Sequence, residues 1–146
     1  MKIAIGADHR GVKYKKEIKE MLESEGIEVE DFGTDSEESV DYPDFAQKVA
    51  KQVGDGNVDY GVLVCGSGIG VDIVANKVTG ARSVNAVNEM MAEMARRHNN
   101  ANVISLGADL IDLETAKNNV KKFINTGFEG GRHERRVEKI HNLTGR

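Results

Sequence analysis

Short apolar runs alternate with amphipathic stretches along the whole chain, and each switch of period is marked by a turn residue. Residues 2–7 read as an apolar strand ending at Gly6-Ala7-Asp8. Over residues 11–25, Val12, Ile18, Met21 and Leu22 recur on one helical stripe with charges opposite, and Gly26 is a helix stop signal. Ile27, Val29 and Asp31-Phe32 predict a second strand closed by Gly33. A polar loop over 34–41 leads to Pro43, the only proline, placed for the first turn of a helix reaching Val53. Residues 60–65 are continuously apolar, the pattern of a central parallel strand covered on both faces. The turn Gly66-Ser67-Gly68-Ile69-Gly70 then opens another helix. Residues 81–87 predict a fourth strand, 88–98 a helix, 102–106 a fifth strand, and about 113–125 and 131–142 two terminal helices.

Strand followed by helix, five times over, predicts right-handed crossovers and an α/β fold with a five-stranded parallel sheet and helices on both faces. Its length of 146 residues suits a single domain. In such sheets ligands gather beyond the carboxyl ends of the strands. That rule selects Asp8-His9, Cys65 with its glycine turn, and the loops after the fourth and fifth strands. The net charge of −4 argues against a nucleic-acid partner. One cysteine cannot close an internal disulfide and no stretch has the length and apolarity of a membrane span, so the expected location is the cytoplasm with no membrane partner.

Cys65 is the first candidate for chemistry. A lone cysteine is also a small hydrophobe, but this one ends the central strand directly before a helix N-terminus, where a thiolate is stabilised. The glycines after it strip away side chains, so backbone N–H groups can converge on an anion or a developing oxyanion. Position 71 is Val71 and no Lys-Ser/Thr follows, so neither the dinucleotide nor the nucleoside-triphosphate loop pattern is met. Asp8 either caps the first long helix or faces the same sheet edge as Cys65. His98 ends a helix, where an imidazolium is favoured even without catalysis. Neither His9 nor His98 has zinc-site spacing, and no metal is expected. Arg132 and Arg136, four apart on the last helix, either form a solvated basic face or clamp one phosphate between two guanidinium forks.

Six segments in order through nearly the whole chain make the sequence resemble the B-type ribose-5-phosphate isomerases and related galactose-6-phosphate isomerase subunits. They are Gly6-Ala7-Asp8-His9-Arg10-Gly11, Glu38-Ser39-Val40-Asp41-Tyr42-Pro43, Cys65-Gly66-Ser67-Gly68-Ile69-Gly70, Ala75-Asn76-Lys77, Arg97-His98-Asn99-Asn100-Ala101-Asn102-Val103 and Phe128-Glu129-Gly130-Gly131-Arg132-His133. The resemblance implies a Rossmann-like three-layer fold, no cofactor, and a homodimer or tetramer with active sites shared between subunits. It implies that Cys65 is the base moving a proton between C2 and C1 of a sugar phosphate, with His98 and Asp8 opening the ring. It further implies that Gly66, Ser67, Gly68, Ile69 and Gly70 hold the enediolate oxygen and Tyr42 and Asn99 the hydroxyls. His9, Arg132 and Arg136 take the phosphate, the last two from the C-terminal helix.

Two positions depart from that pattern. Asp109 stands where pentose isomerases of this type commonly carry Arg, and Asp72 replaces Ser or a small residue. Besides ribose 5-phosphate, the substrate alternatives are galactose 6-phosphate, allose 6-phosphate or a tetrose phosphate, and a non-catalytic phosphosugar sensor is the other class. A thiol redox protein would need a second cysteine to resolve a mixed disulfide.

Overall fold

A computed structural model describes residues 1–146. The strands are β1 (Lys2–Ala7), β2 (Glu28–Asp31), β3 (Tyr60–Cys65), β4 (Ser83–Asn85) and β5 (Val103–Gly107). The helices are α1 (Val12–Ser24), α2 (Tyr42–Gly54), α3 (Ile69–Asn76), α4 (Glu89–Asn99), α5 (Leu113–Ile124) and α6 (Arg132–Thr144). All five strands pair in parallel in the order β2-β1-β3-β5-β4. The fold class read from the sequence is therefore the one observed.

The two-residue period of the strands sorts side chains onto two helical layers. Ile3, Ile5, Val62, Val64, Ile104 and Leu106 pack with Ile18 and Leu22 of α1, Ala92 and Ala95 of α4, and Val120 and Phe123 of α5. Ala4, Leu63, Cys65 and Val103 face the opposite way, against Val49 and Val53 of α2 and Val71 and Ala75 of α3. Gly6 and Gly61 point to this second layer, where a Cβ would stand 2.8 and 2.9 Å from Val49 methyls. Two missing side chains thus let α2 lie close on the sheet, as a densely packed interior requires. Helix α6 sits outside these layers, against α4, and buries only Val137. No helix is long and apolar enough to cross a membrane.

Two strands differ from the periodicity reading. β4 is three residues rather than seven, because side chains take its backbone groups at the start. The Asn76 Oδ1 accepts from Ser83 N–H at 2.8 Å, and the Asn102 Oδ1 accepts from Arg82 N–H at 2.7 Å. Ile27 belongs to the α1 terminus rather than to β2, since its N–H donates to the Leu22 carbonyl at 3.1 Å.

Candidate active site

The first strand ends in a turn built by an aspartate. Asp8 is buried, and its Oδ1 accepts from Arg10 N–H at 3.0 Å and Gly11 N–H at 3.3 Å. Asp8 therefore does not cap α1 as the sequence allowed: the N-cap is Gly11, which makes no side-chain cap bond, and the aspartate ties the turn before the helix. The same side chain also lines a cleft of about 560 Å³ with Arg10, Tyr42, Cys65, Gly66, Ser67, Ile69, Gly70, Ile73, Asp109 and Leu110. The cleft lies at the carboxyl ends of β1, β3 and β5, where the topology places it.

Cys65 is 5 % exposed, and its Sγ accepts the Gly68 N–H at 3.2 Å. Gly68 reaches this position at φ +75°, a conformation that glycine adopts without penalty. The Tyr42 ring lies against Gly70, where any Cβ would fall 2.5 Å from ring carbons. His9 Nδ1 accepts the Val40 N–H at 3.2 Å, which leaves Nε2 to carry the ring proton in the neutral form.

The cleft also contains an ion pair with no local sequence signature. Arg10 Nε donates to Asp109 Oδ2 at 2.7 Å, across 99 positions of chain. Asp109 N–H donates to the Gly66 carbonyl at 2.9 Å, so the acid is tied to the glycine turn. The pair packs over Gly66, where a Cβ would meet both side chains at 2.8 Å. Arg10, Ile73 and Leu110 escape a reading based on spacing alone. Arg10 carries a signal only through its place beside Asp8-His9 at a strand end.

The remaining expected residues stand elsewhere. His98, Asn99, Arg132 and Arg136 do not line the Cys65 cleft of the same chain. Asn99 borders a second cavity with Arg82 and His141. His98, in the last turn of α4, stacks on His133 with ring centroids 4.6 Å apart and planes at 18°. Its Nε2 is 3.7 Å from Glu129 Oε1. Burial, with the neighbouring His98 and Arg132, pushes the His133 imidazole below its ordinary pKa. Arg132 and Arg136 are exposed at the start of α6 and make no ion pair. His98, Glu129 and His133 bring one donor atom each to within 4.8 Å of one another. Asp72 lies behind the glycine turn on α3, where burial raises its pKa and the Ser83 and Ser105 hydroxyls partly oppose that shift.

A parallel α/β sheet with a thiol, an N–H donor and polar side chains at its strand ends defines a small-molecule enzyme site of the doubly wound class. A family model described as Ribose/Galactose Isomerase matches residues 3–140. The chain is 45% identical over 139 residues to ribose-5-phosphate isomerase B of Escherichia coli K12, covering 95% of this chain and 93% of that protein. It is 42% identical over 141 residues to D-erythrulose-4-phosphate isomerase of Pectobacterium atrosepticum, covering 96% and 93%. The solved structure of Clostridium thermocellum ribose-5-phosphate isomerase B superposes with a TM-score of 0.97 at 47% identity, covering 99% of this chain and 98% of that one. The chain belongs to the ribose/galactose isomerase family. It is a sugar-phosphate isomerase of the aldose–ketose type.

Proposed function

We propose that the chain interconverts ribose 5-phosphate and ribulose 5-phosphate in the cytoplasm, with Cys65 as the base. The observation that carries this reading is the Cys65 sulfur at the cleft, held by the Gly68 N–H at 3.2 Å. The Cys65 thiolate takes the C2 proton of the open-chain aldose, the electron pair forms the C1–C2 double bond with the negative charge on O1, the O2 hydroxyl proton passes to O1, and the same thiol returns its proton to C1 as the C2 carbonyl forms. With the Gly68 N–H on the sulfur and the Ile69 N–H on the Ser67 hydroxyl, the N–H groups of Gly66, Ser67 and Gly70 are left to stabilise the negative oxygen while it exists. Asp8 assists ring opening, and Tyr42 and the His9 Nε2 contact the bound sugar phosphate.

A second copy of the chain completes each site. Within one chain the only arginine at the cleft, Arg10, is already engaged by Asp109, so an incoming phosphate needs cations from elsewhere. Arg132 and Arg136 are exposed and unpaired, and Ile69, Ile73 and Leu110 leave apolar surface around the cleft. Docking α6 and the end of α4 of a partner on that rim brings His98 to the ring oxygen, Asn99 to a hydroxyl, and both guanidiniums to phosphate. The unit is one isomerase domain that acts as a homodimer or a pair of homodimers.

Asp109 favours a second reading, in which the substrate is another sugar phosphate. An acid at the cleft wall repels a phosphate and accepts from a hydroxyl, and the Pectobacterium relative is named for a tetrose phosphate. Turnover of a panel of four-, five- and six-carbon aldose phosphates in deuterated water decides between the two. The first reading expects the highest kcat/KM and solvent deuterium at C1 with ribose 5-phosphate. A higher kcat/KM for erythrose 4-phosphate or a hexose 6-phosphate replaces it.

A further inference from the structure

Three side chains from separate elements converge at the end of α4. His98 comes from its last turn, Glu129 from the loop before α6, and His133 from the first turn of α6. The cluster is braced. Glu129 N–H donates to the Arg97 carbonyl at 3.0 Å, and His133 N–H donates to the Gly130 carbonyl at 3.1 Å. Arg97 Nη2 takes Glu129 Oε2 at 3.3 Å, which leaves Oε1 turned to His98 Nε2 at 3.7 Å. A carboxylate with one oxygen held by an outer partner and the other facing an imidazole is how metal ligands are commonly oriented.

We propose that His98, Glu129 and His133 form a site for a zinc-type divalent cation, which inhibits the enzyme by occupying the lone pair of His98. Two imidazoles and one carboxylate with an open position are a zinc donor set. Zinc bonds of about 2.0–2.2 Å place tetrahedral ligands roughly 3.3–3.5 Å apart. The donors here already lie within 4.8 Å of one another, and His133 is only partly buried. Magnesium and calcium prefer oxygen ligands and are disfavoured by imidazoles. The Arg132 and Arg136 charges nearby oppose any cation, and the imidazole–zinc bond has to outweigh them.

The inhibition rests on the role proposed for His98, whereas the site itself does not. Zinc binding is measured by calorimetry on the whole protein, and ligand type is read from the visible spectrum of the cobalt-substituted form. One ion per chain is expected, with tetrahedral cobalt bands and no thiolate charge-transfer band. Glu129→Gln and His133→Ala should each weaken binding at least tenfold, while Cys65→Ser and His141→Asn should leave it unchanged. Unchanged affinity in both Glu129→Gln and His133→Ala, or loss of binding in Cys65→Ser, overturns the site. Zinc should slow turnover of ring-closed substrate in wild type and much less in His133→Ala. Tight binding at these residues without inhibition keeps the site and overturns the role of His98 in ring opening.

Discussion

At Cys65 the proposed chemistry depends on one sulfur atom keeping a negative charge beside a carbonyl that is becoming an enediolate. The Gly68 N–H lies 3.2 Å from the sulfur, and the proposal gives the remaining N–H groups of the glycine turn to the developing oxyanion. A serine keeps the bond geometry but is a far weaker acid, so its anion is scarce near neutral pH. Cys65→Ser should lower kcat by about 10²–10⁴-fold, the usual worth of a general base, while KM stays within a few-fold. Steady-state kinetics with ribose 5-phosphate checks this, and near-normal kcat removes Cys65 as the base. Asp72 makes a different argument. Its Oδ1 is buried with no partner, and burial raises the carboxyl pKa in the fold. A carboxyl whose folded pKa is raised binds its proton more tightly folded than unfolded, so stability is lost as pH climbs from the ordinary carboxylate range through the raised value. At pH 7 that penalty is present, and below the unfolded pKa it is gone. Asp72→Asn should therefore raise stability at neutral pH by on the order of 1 kcal/mol, or roughly 3 °C in Tm, after discounting for partial solvent access. Thermal melts across pH should show the gain shrinking in acid. A gain independent of pH would trace to packing instead of charge.

Among the elements, α6 is the one whose placement serves the fold least. It buries a single residue, Val137, yet it carries four cationic side chains in its first two turns, Arg132, His133, Arg135 and Arg136 when the histidine is protonated. Gly130 and Gly131, at φ +69° and +58°, turn the chain sharply into it. If the partner's α6 grips phosphate, Arg132→Ala and Arg136→Ala should each raise KM. Each charge-assisted bond contributes about 1.5–3 kcal/mol, or roughly tenfold to a hundredfold in affinity. Tm should barely move, because exposed charges add little to folding. Arg135→Ala, on a different part of the helix surface, is the control. Equal and small effects at all three positions would leave α6 as a solvated basic face. Lysine at 132 or 136 should rescue only in part, since it keeps charge and loses the planar fork.

On the scale of the whole molecule, the residues proposed for the site fall into two groups that do not meet within one chain. Cys65 and the glycine turn lie at the cleft, and His98, Arg132 and Arg136 lie at the α4–α6 end. If the proposed dimer is isologous, it brings each group to the other twice, and one damaged group per subunit should be complemented. Mixing Cys65→Ser chains with Arg132→Ala/Arg136→Ala chains, through denaturation and refolding together, should restore about a quarter of wild-type activity. Half the dimers are then hybrids, each with one intact site. No recovery above the separate variants would place both halves of a site in one chain. Much of this was legible beforehand. Hydrophobic period and turn residues are local properties, and they sufficed for the five strands, the six helices and the placing of Asp8 and Cys65 at one sheet edge. The strand ends were less legible, because Asn76 and Asn102 compete for the backbone of β4 from distant positions. The Arg10–Asp109 pair and the His98–Glu129–His133 cluster join segments 99 and about 31–35 residues apart. No period encodes such a meeting. Which side chains share a cleft, and which expected site residues stand away from it, follows from the order β2-β1-β3-β5-β4 and from α6 lying outside the layers, and both depend on how distant elements pack.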